Sequence, residues 1–244
     1  MLFFQQESLI FFPSKLPPDH AFHFRESFQE RYITAPDGIK LHGLLFPVEA
    51  SKGLIFYLHG NAGSVEEWGS VASIYTNLGY DVFMLDYRGY GKSGGKISSE
   101  QQFYDDVQAA YDLMKQEYPE EKIIVLGYSI GTAAAARTAA LNKPQMLILQ
   151  APYYSLTDLG KNLYPIIPSA ILKYKFKTYE FVEKTAAPIV IFHGDQDEVI
   201  YYGSSLKLQK HLKPTDQLNT LKGQSHNGMT ENPDYLAAIR KLLQ

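Results

Sequence analysis

Apolar positions along the chain fall into two rhythms. Gln29–Thr34 and Ile39–Pro47 alternate like strands, and Pro36-Asp37-Gly38 between them is a strong turn signal, so the pattern predicts an antiparallel hairpin. Beyond it come short runs rich in Ile, Leu, Val and Phe: Leu54–His59, Val82–Asp86, Lys122–Tyr128, Met146–Gln150 and Pro188–His193, with Gln217–Leu221 as a last strand-like run. Runs of this kind suit a parallel sheet covered on both faces. The second rhythm is helical. Ser99-Glu100-Gln101-Gln102 reads as a capping box, and Phe103, Val107, Ala110, Tyr111 and Met114 follow at helical spacing up to Pro119. Thr132–Asn142 is Ala-rich and ends before Pro144, and Glu231–Leu243 closes the chain as a helix.

Strand and helix in alternation imply a right-handed, doubly wound, mostly parallel α/β sheet with the hairpin at one edge. One connection is longer than a crossover helix needs: residues 152–187, with prolines at 165 and 168, read as a small cap insertion. No repeat, low-complexity tract or linker divides the chain, so 1–244 is expected to be one domain, opening with an aromatic-rich segment over 1–28. Met1 to Phe12 is apolar but broken by Gln5, Gln6, Glu7 and Ser8. It lacks the basic start and unbroken apolar stretch of a signal peptide, and it falls short of a spanning helix. The expectation is a cytoplasmic protein whose N-terminal segment packs on the body or makes a peripheral membrane contact.

Composition narrows the chemistry. At 45% hydrophobic and 20% charged residues over 244 positions, the chain can bury a sizeable core. A net charge of −3 makes no electrostatic case for nucleic acid. The absence of cysteine excludes disulfides, thiolate metal sites and a thiol nucleophile, leaving Ser, Thr, Lys or carboxylate routes to covalent catalysis. Aromatic residues concentrate in the N-terminal segment and again between Tyr153 and Phe181.

Gly127-Tyr128-Ser129-Ile130-Gly131 follows a hydrophobic strand and precedes the Ala-rich helix. This is the context in which G-x-S-x-G sets a serine on a sharp strand-to-helix turn. A serine hydroxyl needs a base within hydrogen-bond reach and a carboxylate to orient that base. His226, in a Gly-rich loop after the last strand, fits the base. Just past an earlier strand, His193-Gly194-Asp195-Gln196-Asp197 offers the acid. Asp197 lies further into the loop and is preferred over Asp195, which is suited to the turn, and over Asp158. Backbone N–H groups for an oxyanion are expected from Ile130 and from Asn61 in His59-Gly60-Asn61-Ala62-Gly63, with Ala62 next. His59 and His193 are read as imidazoles bonding to loop backbone.

These motifs, together with Asp86-Tyr87-Arg88-Gly89-Tyr90-Gly91-Lys92-Ser93, resemble the alpha/beta-hydrolase superfamily. The likeness is greatest to the branch of serine-aminopeptidase-like bacterial hydrolases and alpha/beta-hydrolase-domain protein depalmitoylases. It runs from about Gln29 to the C-terminus and implies the alpha/beta-hydrolase fold, with Ser129 as nucleophile, Asp197 as acid and His226 as base. It also implies a structural turn in which Asp86 and Arg88 form a buried ion pair. Members of that branch often carry a membrane anchor or acylated cysteines, and this chain has no cysteine to acylate.

Competing motifs fail on spacing. Gly91-Lys92-Ser93 lacks the glycine five positions earlier that a P-loop needs, since position 86 is Asp. The first βα turn does not supply a dinucleotide fingerprint, and the histidines are scattered, so neither a cofactor nor a metal is implied. The expected function is a serine esterase or thioesterase acting on a small-molecule or acylated substrate. Tyr153, Tyr154, Tyr164, Ile166, Ile167, Leu172 and Phe176 of the cap are expected to line the acyl site. The alternatives are an aminopeptidase-like amide hydrolase and a non-catalytic ligand-binding protein.

Overall fold

The computed structural model describes residues 6–163, 168 and 171–244. Two short strands, β1 (Phe12–Pro13) and β5 (Ala62–Gly63), pair in parallel away from the main sheet. The main sheet is built from β2 (Gln29–Thr34), β3 (Lys40–Phe46), β4 (Leu54–Leu58), β6 (Asp81–Asp86), β7 (Ile123–Tyr128), β8 (Met146–Gln150), β9 (Ile189–Gly194) and β10 (Gln217–Leu221). Their order is β10-β9-β8-β7-β4-β6-β3-β2. β3 runs antiparallel to both β2 and β6, while β4 and β6 to β10 are mutually parallel. The expected hairpin is therefore at the edge, turning at Gly38, whose φ of +85° a side chain would resist.

The inner parallel strands, β4 and β6 to β9, lack polar alternation because both of their faces are covered, while the edge strand β10 keeps polar positions. On β4, Leu54, Phe56 and Leu58 belong to one core cluster, Ile55 and Tyr57 to the other. The first cluster is completed by α4 (Glu100–Glu117) and α5 (Gly131–Leu141), the second by α3 (Ala72–Thr76) and α8 (Pro233–Leu242). Helix ends follow local chemistry. Ser99 caps α4 by accepting from the Gln102 N–H at 3.1 Å, and α4 stops where Tyr118, preceding Pro119, is held extended. The expected reciprocal bond is not made, because the Gln102 side chain takes the Ser98 N–H instead. A full capping box forms elsewhere, between Ser64 and Glu67 at the start of α2 (Val65–Trp68).

Register sets the site. Leu58 lies beside Gly127, and Tyr128 beside Gln150, which in turn lies beside Phe192. The chain thus leaves β4 at His59, β7 at Ser129 and β9 at Gly194 along one edge, the carboxyl edge where open α/β sheets bind ligands. Above that edge, α1 (Gln6–Ile10) and α6 (Leu156–Leu163) contribute to one cavity. The second half of the 152–187 insertion returns to the body: Tyr174, Phe176 and Val182 of the stretch ending in α7 (Thr178–Lys184) are buried in the main core. Among the described residues, no helix is long and apolar enough to cross a membrane.

Candidate active site

Ser129 stands at the turn from β7 into α5 with φ of +51°, in the left-handed region that non-glycine residues rarely adopt. Its neighbours show why the turn can be this tight. A Cβ on Gly127 would approach Ala135 Cβ and the Gly131 carbonyl at 2.7 Å, and one on Gly131 would meet the Leu58 carbonyl and stand 2.8 Å from Tyr87 Oη. Only glycine lets α5 and β4 close on the elbow. The turn lifts the serine out of the sheet and directs its Oγ to His226 Nε2, 3.1 Å away.

His226 Nδ1 donates to Asp197 Oδ2 at 2.7 Å, which leaves the Nε2 lone pair for the Ser129 hydroxyl. The other carboxylate oxygen, Oδ1, accepts from the N–H groups of Val199 (2.9 Å) and Ile200 (2.7 Å). Burial opposes ionisation of Asp197, but hydrogen bonds from His193, His226 and the Ile200 amide outweigh it and hold the carboxyl well below the usual carboxylate range. The acid and base loops are also joined directly, the Gln196 N–H donating to the Gln224 carbonyl at 3.1 Å. Asp195 accepts from the Gly223 N–H and pairs with Lys222, so it braces the turn. Asp158 is occupied by Tyr201 and Lys207.

His193 does more than bond to loop backbone. Its Nε2 donates to the Ile200 carbonyl at 2.8 Å and lies 3.2 Å from Asp197 Oδ2, while Nδ1 accepts from Ser205 Oγ at 2.6 Å. This fully buried ring therefore braces the carboxylate at Oδ2, while the backbone donors hold Oδ1. His59 keeps to its loop, donating through Nδ1 to the Gly60 carbonyl at 2.7 Å, and burial pushes its pKa below the ordinary value.

The loop after β4 brings Gly60, Asn61 and Ala62 to the cavity that Ser129, Ile130 and His226 also line. Tyr90 Oη donates to the Asn61 carbonyl at 2.8 Å, and the Trp68 indole N–H donates to the Ala62 carbonyl at 2.8 Å. With those carbonyls turned away into bonds, the loop is held in one shape. Ile130, on the other side of Ser129, precedes α5, so the partial positive end of an 11-residue helix faces the same space.

That cavity encloses about 720 Å³, the size of a small-molecule site. Of the cap residues expected there, Tyr153 and Leu172 line it, and Tyr153 Oη also donates to the Ile130 carbonyl at 3.1 Å. Tyr154 lies outside the lining, stacked on Tyr179 with centroids 4.5 Å apart. Phe176 also lies outside it, in the core against Phe103 and Tyr104. Tyr164, Ile166 and Ile167 are outside the described residues. Residues not singled out by sequence contribute much of the wall: Gln6, Leu9, Ile10 and Phe12 from the N-terminal segment, Trp68, Leu156, Leu159 and Leu163, and Ile171, Val199 and Ile200. The apolar spacing of Leu156, Leu159 and Leu163 was the signal available for α6. The expected Asp86–Arg88 pair is not formed. Arg88 takes Asp106 and Asp37 at 2.7 Å, whereas Asp86 receives His42 at 2.9 Å and the Val65 N–H at 2.9 Å. Among the described residues no His, Cys, Asp and Glu cluster could hold a metal.

Known proteins resemble this chain in sequence and in fold. The family model described as serine aminopeptidase, S33, matches residues 49–181. The alpha/beta hydrolase domain-containing protein aho-3 of Caenorhabditis elegans is 30% identical over 206 residues, 82% of this chain and 60% of that protein. Alpha/beta hydrolase domain-containing protein 17B of Homo sapiens is 30% identical over 200 residues, 79% of this chain and 67% of its own length. In fold, an esterase of Pyrococcus furiosus superposes with a TM-score of 0.77 at 19% identity, covering 96% of each chain. A sheet with this strand order, a serine elbow after β7 and a family match over more than half of the sequence agree, and the chain belongs to the alpha/beta-hydrolase superfamily.

Proposed function

We propose that the protein is a serine hydrolase that cleaves a carboxylic ester or thioester with an apolar acyl group. The observation that carries this reading is the hydrogen-bonded chain Ser129–His226–Asp197, opening into an apolar cavity. Ser129 Oγ attacks the carbonyl carbon as His226 Nε2 takes its proton, and the N–H groups of Ile130 and Asn61 receive the oxyanion. Collapse expels the alcohol or thiol, protonated by His226, and leaves the acyl group on Ser129. Water then attacks with His226 again as base, releasing the carboxylic acid and restoring the serine. Asp197 holds the imidazole tautomer throughout.

An ester or thioester is favoured over an aminopeptide because recognition of a free amine calls for a carboxylate, and the described lining contains no Asp or Glu. The test is a Ser129→Ala variant assayed with p-nitrophenyl esters and a fluorophosphonate probe. Turnover and labelling are expected to vanish; retention of either overturns the reading.

A second observation concerns where substrate is met. Leu9, Phe12, Leu163, Ile171 and Val199 are each exposed yet also edge the catalytic cavity. An apolar rim around an apolar site favours contact with a lipid surface. Flotation with phosphatidylcholine vesicles should carry the protein and release a Leu9→Asp variant; equal behaviour of the two removes this reading.

A further inference from the structure

The family match begins at residue 49, yet part of the cavity wall comes from residues 6–12. Gln6, buried at the start of α1, uses both ends of its amide on the cap: Nε2 donates to the Ile171 carbonyl at 2.8 Å, and Oε1 accepts from the Lys173 N–H at 2.8 Å. A side chain used in this way substitutes for a neighbouring strand. Glu7 adds the Tyr174 hydroxyl at 2.8 Å and the Lys173 ammonium. Phe11 then packs edge-on against Tyr174 (5.4 Å, 79°) and Phe176 (6.4 Å, 84°).

Past Phe11 the same stretch reaches the loop after β4, which also lines the cavity. The Phe12 N–H donates to Asn61 Oδ1 at 3.3 Å, Phe12 and Pro13 pair with Ala62 and Gly63, and the Ser14 N–H donates to the Gly63 carbonyl at 2.9 Å. Residues 6–14 therefore tie the cap to the loop proposed to hold the oxyanion. Between the two ties, Leu9 and Ile10 face the cavity shared with Leu156, Leu159 and Leu163.

We propose that residues 6–14 form a specificity strap, a wall brought from outside the family-matched region that makes the site selective for long acyl chains over short ones. This rests on the ester-hydrolase reading. Short acyl groups need only the elbow and the oxyanion loop. Each further methylene displaces water from between the strap and α6, a gain of about fourfold, which corresponds to ~0.8 kcal/mol for one buried methylene. Gln6 acts as a positioning residue, holding the wall in place without touching the reacting atoms.

The strap is tested by kcat/KM for p-nitrophenyl acetate, butyrate, octanoate and dodecanoate in the wild type, Gln6→Ala, Ile10→Ala and Gly160→Leu. Gly160 lines the cavity from α6, and a Cβ there would meet only Leu172 Cδ1 at 3.6 Å, so a leucine fills the cavity without collision at its base. Ile10→Ala removes apolar wall and not the latch, so it reports even if Gln6→Ala folds poorly. The octanoate-to-acetate ratio is expected to fall about tenfold or more in Gln6→Ala and severalfold in Ile10→Ala. A general loss of structure would lower both substrates alike. If Gly160→Leu shifts the profile while both strap variants keep the wild-type ratio, the acyl cavity stands and the strap proposal falls. If no ester is turned over in a Ser129-dependent way, the hydrolase reading itself has failed.

Discussion

The left-handed conformation of Ser129 makes a prediction about stability that is independent of substrate. At ordinary positions alanine is more stabilising than glycine by roughly 0.5–1 kcal/mol, because glycine loses more backbone freedom on folding. At φ of +51° the order should reverse. A Cβ in the left-handed region costs roughly 1–2 kcal/mol, which Ser129→Ala retains and Ser129→Gly releases. Both variants lose the 3.1 Å bond to His226 Nε2, so that loss cancels between them. The net expectation is Ser129→Gly above Ser129→Ala by about 0.5–1 kcal/mol. In a domain of this size that is roughly 1–4 °C in melting temperature. Urea denaturation of both variants, followed by far-UV circular dichroism and by fluorescence of the lone Trp68, measures the difference. Alanine equal to or more stable than glycine would refute the claim that the elbow holds its serine in a strained turn, even with both variants inactive.

Asp197→Asn should lower kcat for p-nitrophenyl ester hydrolysis by about 10⁴-fold with the fold retained, because an amide can donate to His226 Nδ1 and favour the wrong tautomer; a loss under tenfold would remove Asp197 from the acid role. His59, whose burial depresses its pKa, stays neutral in the folded chain while the unfolded chain gains a proton below about 6.5. Its share of stability is therefore complete above that pH and shrinks as pH falls through it, so the urea midpoint should drop more between pH 7.5 and 5.5 in wild type than in His59→Asn. Asp197, depressed in the opposite sense of charge, loses its share only below about pH 4 and leaves that window undisturbed. Identical pH slopes for wild type and variant would show that His59 is not held neutral.

What was legible in the sequence was whatever is enforced locally. Strand boundaries agree within a residue or two because the inner parallel strands are apolar on both faces and end at glycines or turns. The elbow was legible in part for the same reason, since Gly127 answers to collisions with Gly131, Thr132 and Ala135 close by in sequence, whereas Gly131 makes room for the Leu58 and His59 carbonyls and Tyr87, which only the folded sheet brings there. Partnerships across the chain were not. Arg88 was expected to pair with Asp86 two residues away, yet its partners are Asp106 on α4 and Asp37 in the hairpin turn, which only the folded sheet brings together. Tyr153 and Tyr154 are adjacent and chemically alike, yet only Tyr153 reaches the cavity, the other stacking on Tyr179. Periodicity carries no signal for that choice, because both lie in irregular chain just before α6.

The N-terminal segment presents the same problem in a sharper form. Its aromatic residues and those of the insertion are concentrated in two stretches far apart in sequence, but Phe11 packs against Tyr174 and Phe176, so the two segments form one structure over the site. In the proposed reading, chemistry and selectivity reside on parts with different mutational tolerance. Ser129, His226 and Asp197 are buried and bonded to one another, where removing one partner strands the next. Leu9 and Phe12 are more than half exposed, and substitutions at such positions usually change stability by no more than about 0.5 kcal/mol. A wall that can be altered at so little cost to the fold can change acyl preference while the triad stays fixed, which is why the strap residues, and not the elbow, are where selectivity should be sought.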